Sequence, residues 1–407
     1  MILGKIEKTS IEFLSYALSD KLNHDFVISK EDYQPIFQEL QQHAVATLPA
    51  DLLPHLHNIC EDVLDQWNEL ILQQIYFYTK YKHAQNAIVA AFNTNNISFV
   101  ILKGTSASCY YPNPQYRTMG DIDIFTKRED IDKACIVLEE IGYSRLELEN
   151  DFGRTIKYVK GLFEVEIHRY YTSLNDPEKA EYLDNLILNN IREGKTKLPD
   201  NINGLVLLEH IGDHLEHGLG LRQIIDWMMY VRNCLDDQKW TTWFREQAEI
   251  IGLDKLAITV TRMCQLYLGL DEMILWPHTA DEKVCKDLIA YIMASGNFGR
   301  KENDIQKRGT VEIMINHQSI QDMIRLLQRY GESNWKVLER HSALKPFAWI
   351  YQIGHSIHKR IKNKVRMGEL IQEYFEGKAR KELFDKLGVK QYSKGLAVRK
   401  GDHFEVI

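Results

Sequence analysis

The sequence predicts an α+β protein, a small mixed β-sheet held between a helical N-terminal segment and a large helical C-terminal domain. Three observations lead there. Residues 1–95, and again those from about 178 onward, carry apolar side chains at helical spacings of three and four. Between these stretches lie short β-branched and aromatic runs closed by glycine or polar turns. The 407 residues also exceed what one ordinary core fills, so two or three packed units are expected.

The elements follow in order. Residues 10–18 and 31–46 are amphipathic, and Pro49 and Pro54 punctuate what comes next. Residues 61–94 form the longest helical pattern, with Leu64, Trp67, Leu70, Ile71, Ile75, Tyr78, Tyr81 and Ala84 on its apolar side. The polar run Asn93-Thr94-Asn95-Asn96 ends it. Residues 98–102 read as a buried strand closed by Gly104, 105–111 as a short helix, and Pro112-Asn113-Pro114 as a loop. Residues 121–126 alternate polar and apolar in the period of a strand. A helix over 129–141 is capped by Gly142, and strands follow at 143–148, 154–160 and 163–168, with Gly161 in the turn between the last two. Helices are predicted at 203–217, 219–233, 239–250 and 254–269, then at 281–294, 318–330, 346–363 and 366–387. The expected division is a helical segment 1–60, an α/β core 61–172, a helical domain 173–365 and a basic C-terminal helix and tail 366–407.

Composition narrows the function classes. The net charge is −7, but residues 359–407 alone hold thirteen Lys and Arg against seven Asp and Glu. The rest is therefore strongly acidic, which argues against a general nucleic-acid binder. The basic end suits RNA, an acidic partner or a solvated helix, so nucleic acid as a partner stays open. No apolar run approaches the roughly 20 residues needed to span a bilayer, so no membrane partner is expected. Lys5, Glu7, Lys8 and Glu12 interrupt any apolar leader stretch. The six cysteines are never closer than 21 residues, without CxxC or zinc spacing, so reduced thiols and a cytoplasmic location are expected.

The chemistry concentrates in the middle. In a strand, alternate side chains share a face, so Asp121 and Asp123 point one way while Ile122 and Ile124 point the other. The same rule groups Glu164, Glu166 and His168 against Val165 and Ile167. If these strands lie side by side, three or four carboxylates converge. Their mutual repulsion is relieved by a hard cation, and oxygen ligands of this type suit Mg²⁺ or Mn²⁺. An Asp-x-Asp alone also arises on solvent-facing edge strands, so the second acidic strand carries the weight. Gly104 follows a strand and opens a helix, where backbone N–H groups can approach phosphate, with Thr105 and Ser106 able to add hydroxyls. Lys103 suits phosphate oxygens or plain solvent, and the planar fork of Arg117 suits bidentate phosphate contact. His168 either contacts substrate or is an ordinary hydrogen-bonded strand-end histidine. Arg222 and Asp226 are four apart on a helix and form a natural pair. His210, His214 and His217 lack the glutamate of an HExxH zinc motif, so no zinc is expected.

Leu102-Lys103-Gly104, then Tyr116-Arg117-x-Met119-Gly120-Asp121-Ile122-Asp123, then Val165-Glu166-Ile167-His168 resemble the nucleotidyltransferase superfamily typified by DNA polymerase beta. The chain most resembles its branch of uncharacterised nucleotidyltransferases, often found beside bacterial polysaccharide genes. A weaker likeness extends to Asp213-His214 and to Gly218-Leu219-Gly220-Leu221-Arg222-x-x-x-Asp226, for a span of roughly 62–232. The resemblance implies a polymerase-beta-like sheet. Asp121 and Asp123 would hold metal ions and the nucleoside triphosphate, and Glu166 would be the third carboxylate, acting on the acceptor hydroxyl. It places Gly104 and Thr105 where the superfamily has Gly-Ser, and Arg222 facing the nucleotide, with His168, Glu164 and Asp226 in support. Three features depart from the pattern: Thr105 in place of Ser, Glu166 in place of the commoner Asp, and a 17-residue loop from Gly104 to Asp121 carrying two prolines.

The implied activity is Mg²⁺-dependent transfer of a nucleoside monophosphate from ATP or another NTP to a hydroxyl acceptor on a small molecule, RNA or protein. Two rivals are a metal-dependent glycosyltransferase using a nucleotide-sugar and a non-catalytic nucleotide-binding module. The helical residues 1–95 do not supply the alternating strands and helices that the first would need.

Overall fold

The computed structural model describes residues 3–19, 28–146, 154–174, 176–297, 320–339, 341–362, 367–389, 397–400 and 403–406. The chain divides into two compact units, Met1–Lys301 with Lys386–Ile407, and Glu302–Asp385.

The first unit begins with helices α1 (Lys5–Leu18) and α2 (Tyr33–Gln42), which meet the start of the long helix α3 (Glu61–Thr94). Their junction is the fully buried Trp67, whose ring centroid lies 5.6 Å from that of Phe13 and 5.1 Å from that of Phe37. Its indole N–H donates to the Ala46 carbonyl at 2.5 Å, so a large apolar side chain is buried without an orphaned polar atom.

The sheet has five strands: β1 (Phe99–Leu102), β2 (Ile122–Thr126), β3 (Ser144–Arg145), β4 (Thr155–Lys160) and β5 (Phe163–His168), in the order β1-β2-β5-β4-β3. Among the described strands, only β2 and β5 run parallel. A parallel pair needs a crossover, and α5 (Ile131–Glu140) lies in the segment that provides it. Ile122, Ile124, Val165 and Ile167 pack in one core with Ile88 and Phe92 of α3 and Ala134 and Leu138 of α5. That apolar face fixes the register, since a slip of one residue would turn every acid of β2 and β5 into the core. Residues 147–148 of the expected strand 143–148 lie outside the described residues.

Helix α4 (Gly104–Ser108) follows β1 directly. After the sheet come α6 (Pro177–Leu188), α7 (Asp200–His217), α8 (Leu221–Cys234), the short α9 (Asp237–Lys239), α10 (Arg245–Ile251), α11 (Asp254–Leu268) and α12 (Glu282–Ser295). Helix α7 is tied to the chain leaving β5. Tyr171 donates its hydroxyl to the Val206 carbonyl at 2.7 Å, and Glu209 accepts from the Ser173 backbone at 2.8 Å. Helices α7 and α8 meet at Gly204, where a Cβ would come within 2.2 Å of the Tyr230 ring.

In the second unit, α13 (Ile320–Asn334) and α14 (Ala348–Lys362) pack together. Gly331 permits this, since a Cβ there would meet the Ala348 carbonyl oxygen at 2.0 Å. Helix α15 (Met367–Lys386) follows. The expectation of a helix and tail over 366–407 needs correction at its end. In the C-terminal stretch that belongs to the first unit, strands β6 (Ala397–Lys400) and β7 (His403–Val406) pair antiparallel. The Gly401-Asp402 pair between short runs is a hairpin signal in the sequence that the basic charge of the segment obscures.

Candidate active site

The parallel register of β2 and β5 sets Asp123 beside Glu166 and Phe125 beside His168. Ligand atoms of Asp123, Glu166 and His168 all lie within 4.8 Å of one another, and all three residues are buried. His168 Nε2 is 2.7 Å from Asp123 Oδ1 and 3.7 Å from Glu166 Oε2, so the imidazole is hydrogen-bonded to Asp123 and stands beside Glu166. Asp121 sits one residue before β2, its backbone carbonyl held by the Tyr81 hydroxyl at 2.9 Å.

Electrostatics separate the two aspartates. Asp121 is pushed up to about 7, chiefly by the charge of Asp123, then by burial and by Glu166. Burial would raise Asp123 as well, but the Lys103 ammonium beside it and the hydrogen bond from His168 hold it below the usual carboxylate range. Lys103 Nζ lies 3.2 Å from Asp123 Oδ1, and Lys157, directly across from Glu166 on β4, forms an ion pair with it. The sequence reading, in which only a foreign cation relieves the acids, is therefore corrected: two lysines of the chain already do part of this. Asp121 is not among the ligand atoms that gather within 4.8 Å, but its raised value registers the negative charge of Asp123 and Glu166 that these lysines leave unanswered. Carboxylate oxygens converging with excess negative charge fit Mg²⁺ or Mn²⁺.

Glu164 does not join this group. It is exposed, two residues earlier on β5 and opposite Val159.

The strand-to-helix turn is tight. Lys103 has φ +50° and ψ −134°, a conformation costly for a side-chain-bearing residue, and Gly104 has φ +29°. A Cβ on Gly104 would come within 2.8 Å of the Tyr81 hydroxyl, so the turn needs glycine. The Thr105 hydroxyl donates to Gln85 Oε1 at 2.7 Å. Ser106 departs from expectation: it is buried, and its hydroxyl donates inward to the Ile101 carbonyl at 2.5 Å, capping the strand instead of facing a phosphate.

Arg117 is also relocated. It is buried, and its Nε and Nη2 each lie 2.6 Å from a different Asp226 oxygen. Asp226 Oδ1 also accepts from the Tyr111 hydroxyl at 2.8 Å. Arg117 thus ties the loop before β2 to α8 with its fork taken up by Asp226, and Asp226 pairs with it in place of the expected Arg222. Arg222 reaches the same loop, with Nη1 3.4 Å from the Thr118 carbonyl and 4.0 Å from where a Gly120 Cβ would stand. Burial, and then the charge of Arg117, lower its pKa from the ordinary arginine value.

His210 and His214 face each other at 2.9 Å between Nε2 atoms, a hydrogen bond between imidazoles. Burial, then its neighbour His214, push His210 well below its ordinary value, so the pair is uncharged at that end. The side chain of His217 lies outside the described residues. Among the described residues, the Asp123, Glu166 and His168 group is where metal-ligating atoms gather.

Three kinds of residue escaped sequence reasoning. Lys157 is visible as a polar position of β4, but its partner depends on a register that no spacing reveals. Gln74 and Gln85 occupy the buried row of α3 in place of the half-buried Ile75, Tyr78 and Ala84, because they serve the loop. Gln74 Nε2 donates to the Arg117 carbonyl at 2.8 Å. Tyr171 places its ring 5.8 Å from the Lys103 ammonium, a cation–π contact that joins residues far apart in sequence.

No curated protein and no solved structure matches the chain. A model of the family described as uncharacterised nucleotidyltransferase matches residues 29–269, a span that takes in α2, α3, the whole sheet and the helices through α11. That span is more than half of the 407 residues and encloses the converging acids of β2 and β5, and the chain belongs to this nucleotidyltransferase family.

Proposed function

We propose that the protein is a Mg²⁺- or Mn²⁺-dependent enzyme that moves a nucleoside monophosphate from ATP or another NTP to a hydroxyl acceptor, with release of pyrophosphate. The observation that carries this reading is the in-register pairing of Asp123 with Glu166 on parallel strands, with Asp121 driven up to about 7 beside them. Family membership supports nucleotidyl transfer as the class of reaction.

In this reading Asp121, Asp123 and Glu166 hold the divalent ions. Bound there, such ions neutralise the triphosphate and the charge that develops on the departing pyrophosphate. His168 keeps Asp123 in its ligating orientation. The backbone of Gly104 and the Thr105 hydroxyl face the triphosphate, and Lys103 and Arg222 supply positive charge to it. Glu166 takes up the proton of the acceptor hydroxyl. Residues 61–172 form the catalytic core and the helices α6 to α12 that follow it select the acceptor, in a protein that works in the cytoplasm.

The sheet order disfavours the glycosyltransferase rival, because among the described strands only one pair runs parallel. The test supplies α-³²P-labelled NTPs, Mg²⁺ and a metabolite extract as the acceptor source. We expect label transfer and pyrophosphate release by the native chain, and at least a hundredfold loss in Asp123→Asn. Equal transfer by the variant would remove the assignment.

A further inference from the structure

We propose that Lys103 is an internal counter-ion that leaves Asp123 for the triphosphate, so that the divalent ion and the nucleotide bind as a coupled pair. The inference rests on the metal and NTP reading of the site and goes beyond it, because it makes the site resist the metal alone.

Five observations carry it. The Lys103 ammonium sits 3.2 Å from Asp123 Oδ1, the same oxygen that His168 Nε2 approaches at 2.7 Å, so the atom best placed to ligate a cation is already occupied. The Lys103 side chain is only 18% exposed, and that of Asp123 5%, so water screens their attraction weakly. The strained backbone of Lys103, between β1 and α4, aims the side chain at Asp123, whose Cα pairs with that of Leu102. The same residue adjoins Gly104, where the proposed triphosphate lies, so a modest swing of a flexible four-carbon arm exchanges one anion for the other. The Tyr171 ring, 5.8 Å away, gives the ammonium an apolar wall along that swing.

The consequence is thermodynamic. A cation entering alone must displace the ammonium from Asp123, leaving a half-buried lysine without its nearest carboxylate. A cation arriving with a triphosphate supplies the lysine with a new anion. Each ligand then raises the affinity of the other by the same factor. Lys157 holds Glu166 in a similar pair but stands across the sheet from Gly104, so it opposes the metal without assisting the triphosphate.

The experiment is isothermal titration of the metal-stripped full chain with Mn²⁺ alone, with tripolyphosphate alone and with the preformed Mn²⁺–tripolyphosphate complex. The native chain is expected to bind the complex at least tenfold more tightly than either component. In Lys103→Met the affinity for Mn²⁺ alone should rise about tenfold, as for the loss of one charge-assisted contact. The affinity of that variant for the complex should fall about tenfold. Methionine keeps the length of the arm and the same backbone demand as lysine, and circular dichroism checks the fold. Lys157→Met should also tighten Mn²⁺ binding but leave affinity for tripolyphosphate alone unchanged. Equal binding of Mn²⁺ alone to the native chain and Lys103→Met overturns the counter-ion role while leaving the metal site standing. Absence of Mn²⁺ binding in every arm overturns both.

Discussion

Asp121 and Asp123 stand two residues apart and behave as opposites. Asp123 has Lys103 and His168 for company and holds its negative charge firmly. Asp121 faces the charge of Asp123 and Glu166 and holds a proton up to about 7. A raised carboxyl value means that the folded protein binds this proton more tightly than the unfolded chain does, whose aspartates titrate near pH 3.9. Ionisation of Asp121 therefore costs stability as pH rises from about 4 to about 7. Asp121→Asn should stabilise the metal-free protein by about 1–3 kcal/mol at pH 8 and leave it unchanged near pH 3. Thermal melts across pH test this, and a variant less stable than the native chain at pH 8 would contradict it. The residue types were legible in the sequence, since alternation alone put both aspartates on one face. Their opposed electrostatics were not, because these depend on a lysine twenty residues earlier and a histidine forty-five residues later.

At the scale of elements, α3 is the frame on which the site is strung. Gln74, Tyr81 and Gln85 recur at spacings of seven and four, which places them along one helix face. Each is bonded to a different part of the loop between β1 and β2. The sequence showed this helix at its full length, but read its inner row as wholly apolar. Helical periodicity finds the buried face, but does not say which buried positions serve a neighbouring backbone. Helix α8 grips the same loop from the other side through Asp226 and Arg117. Asp226→Ala leaves a buried guanidinium without its carboxylate and should cost about 3–5 kcal/mol of stability, measured as the urea midpoint. A loss below about 1 kcal/mol would show the pair to be dispensable to the fold. The i, i+4 spacing of Arg222 and Asp226 suggested a local pair, and the long-range bidentate geometry won because the Arg117 fork fits both oxygens of the acid.

At the scale of the molecule, a net charge of −7 is the residue of an uneven distribution. Two acids, Asp123 and Glu166, sit paired on neighbouring strands with Asp121 just before the first, two lysines answer them, and the negative charge that still raises Asp121 suits a divalent ion. The α+β class and most elements were legible, because long helical stripes and short β-branched runs leave few alternatives. The order of the strands was not, since parallel pairing of β2 with β5 is decided by packing on both sheet faces. The C-terminal β-hairpin was hidden for a different reason, as its basic charges read as solvated helix. No helix among the described residues is long and apolar enough to cross a membrane.

If the carboxylates of β2 and β5 hold a divalent ion, nucleotide binding depends on it. The most direct test is equilibrium binding of the four NTPs to the native chain, to Asp123→Asn and to Glu166→Gln, each with Mg²⁺ and with a chelator. At least one NTP is expected to bind the native chain more than tenfold tighter with Mg²⁺ than with chelator, and this gain should disappear in both variants. NTP affinity that ignores Mg²⁺ in the native chain, or a Mg²⁺ gain that survives in both variants, would contradict it.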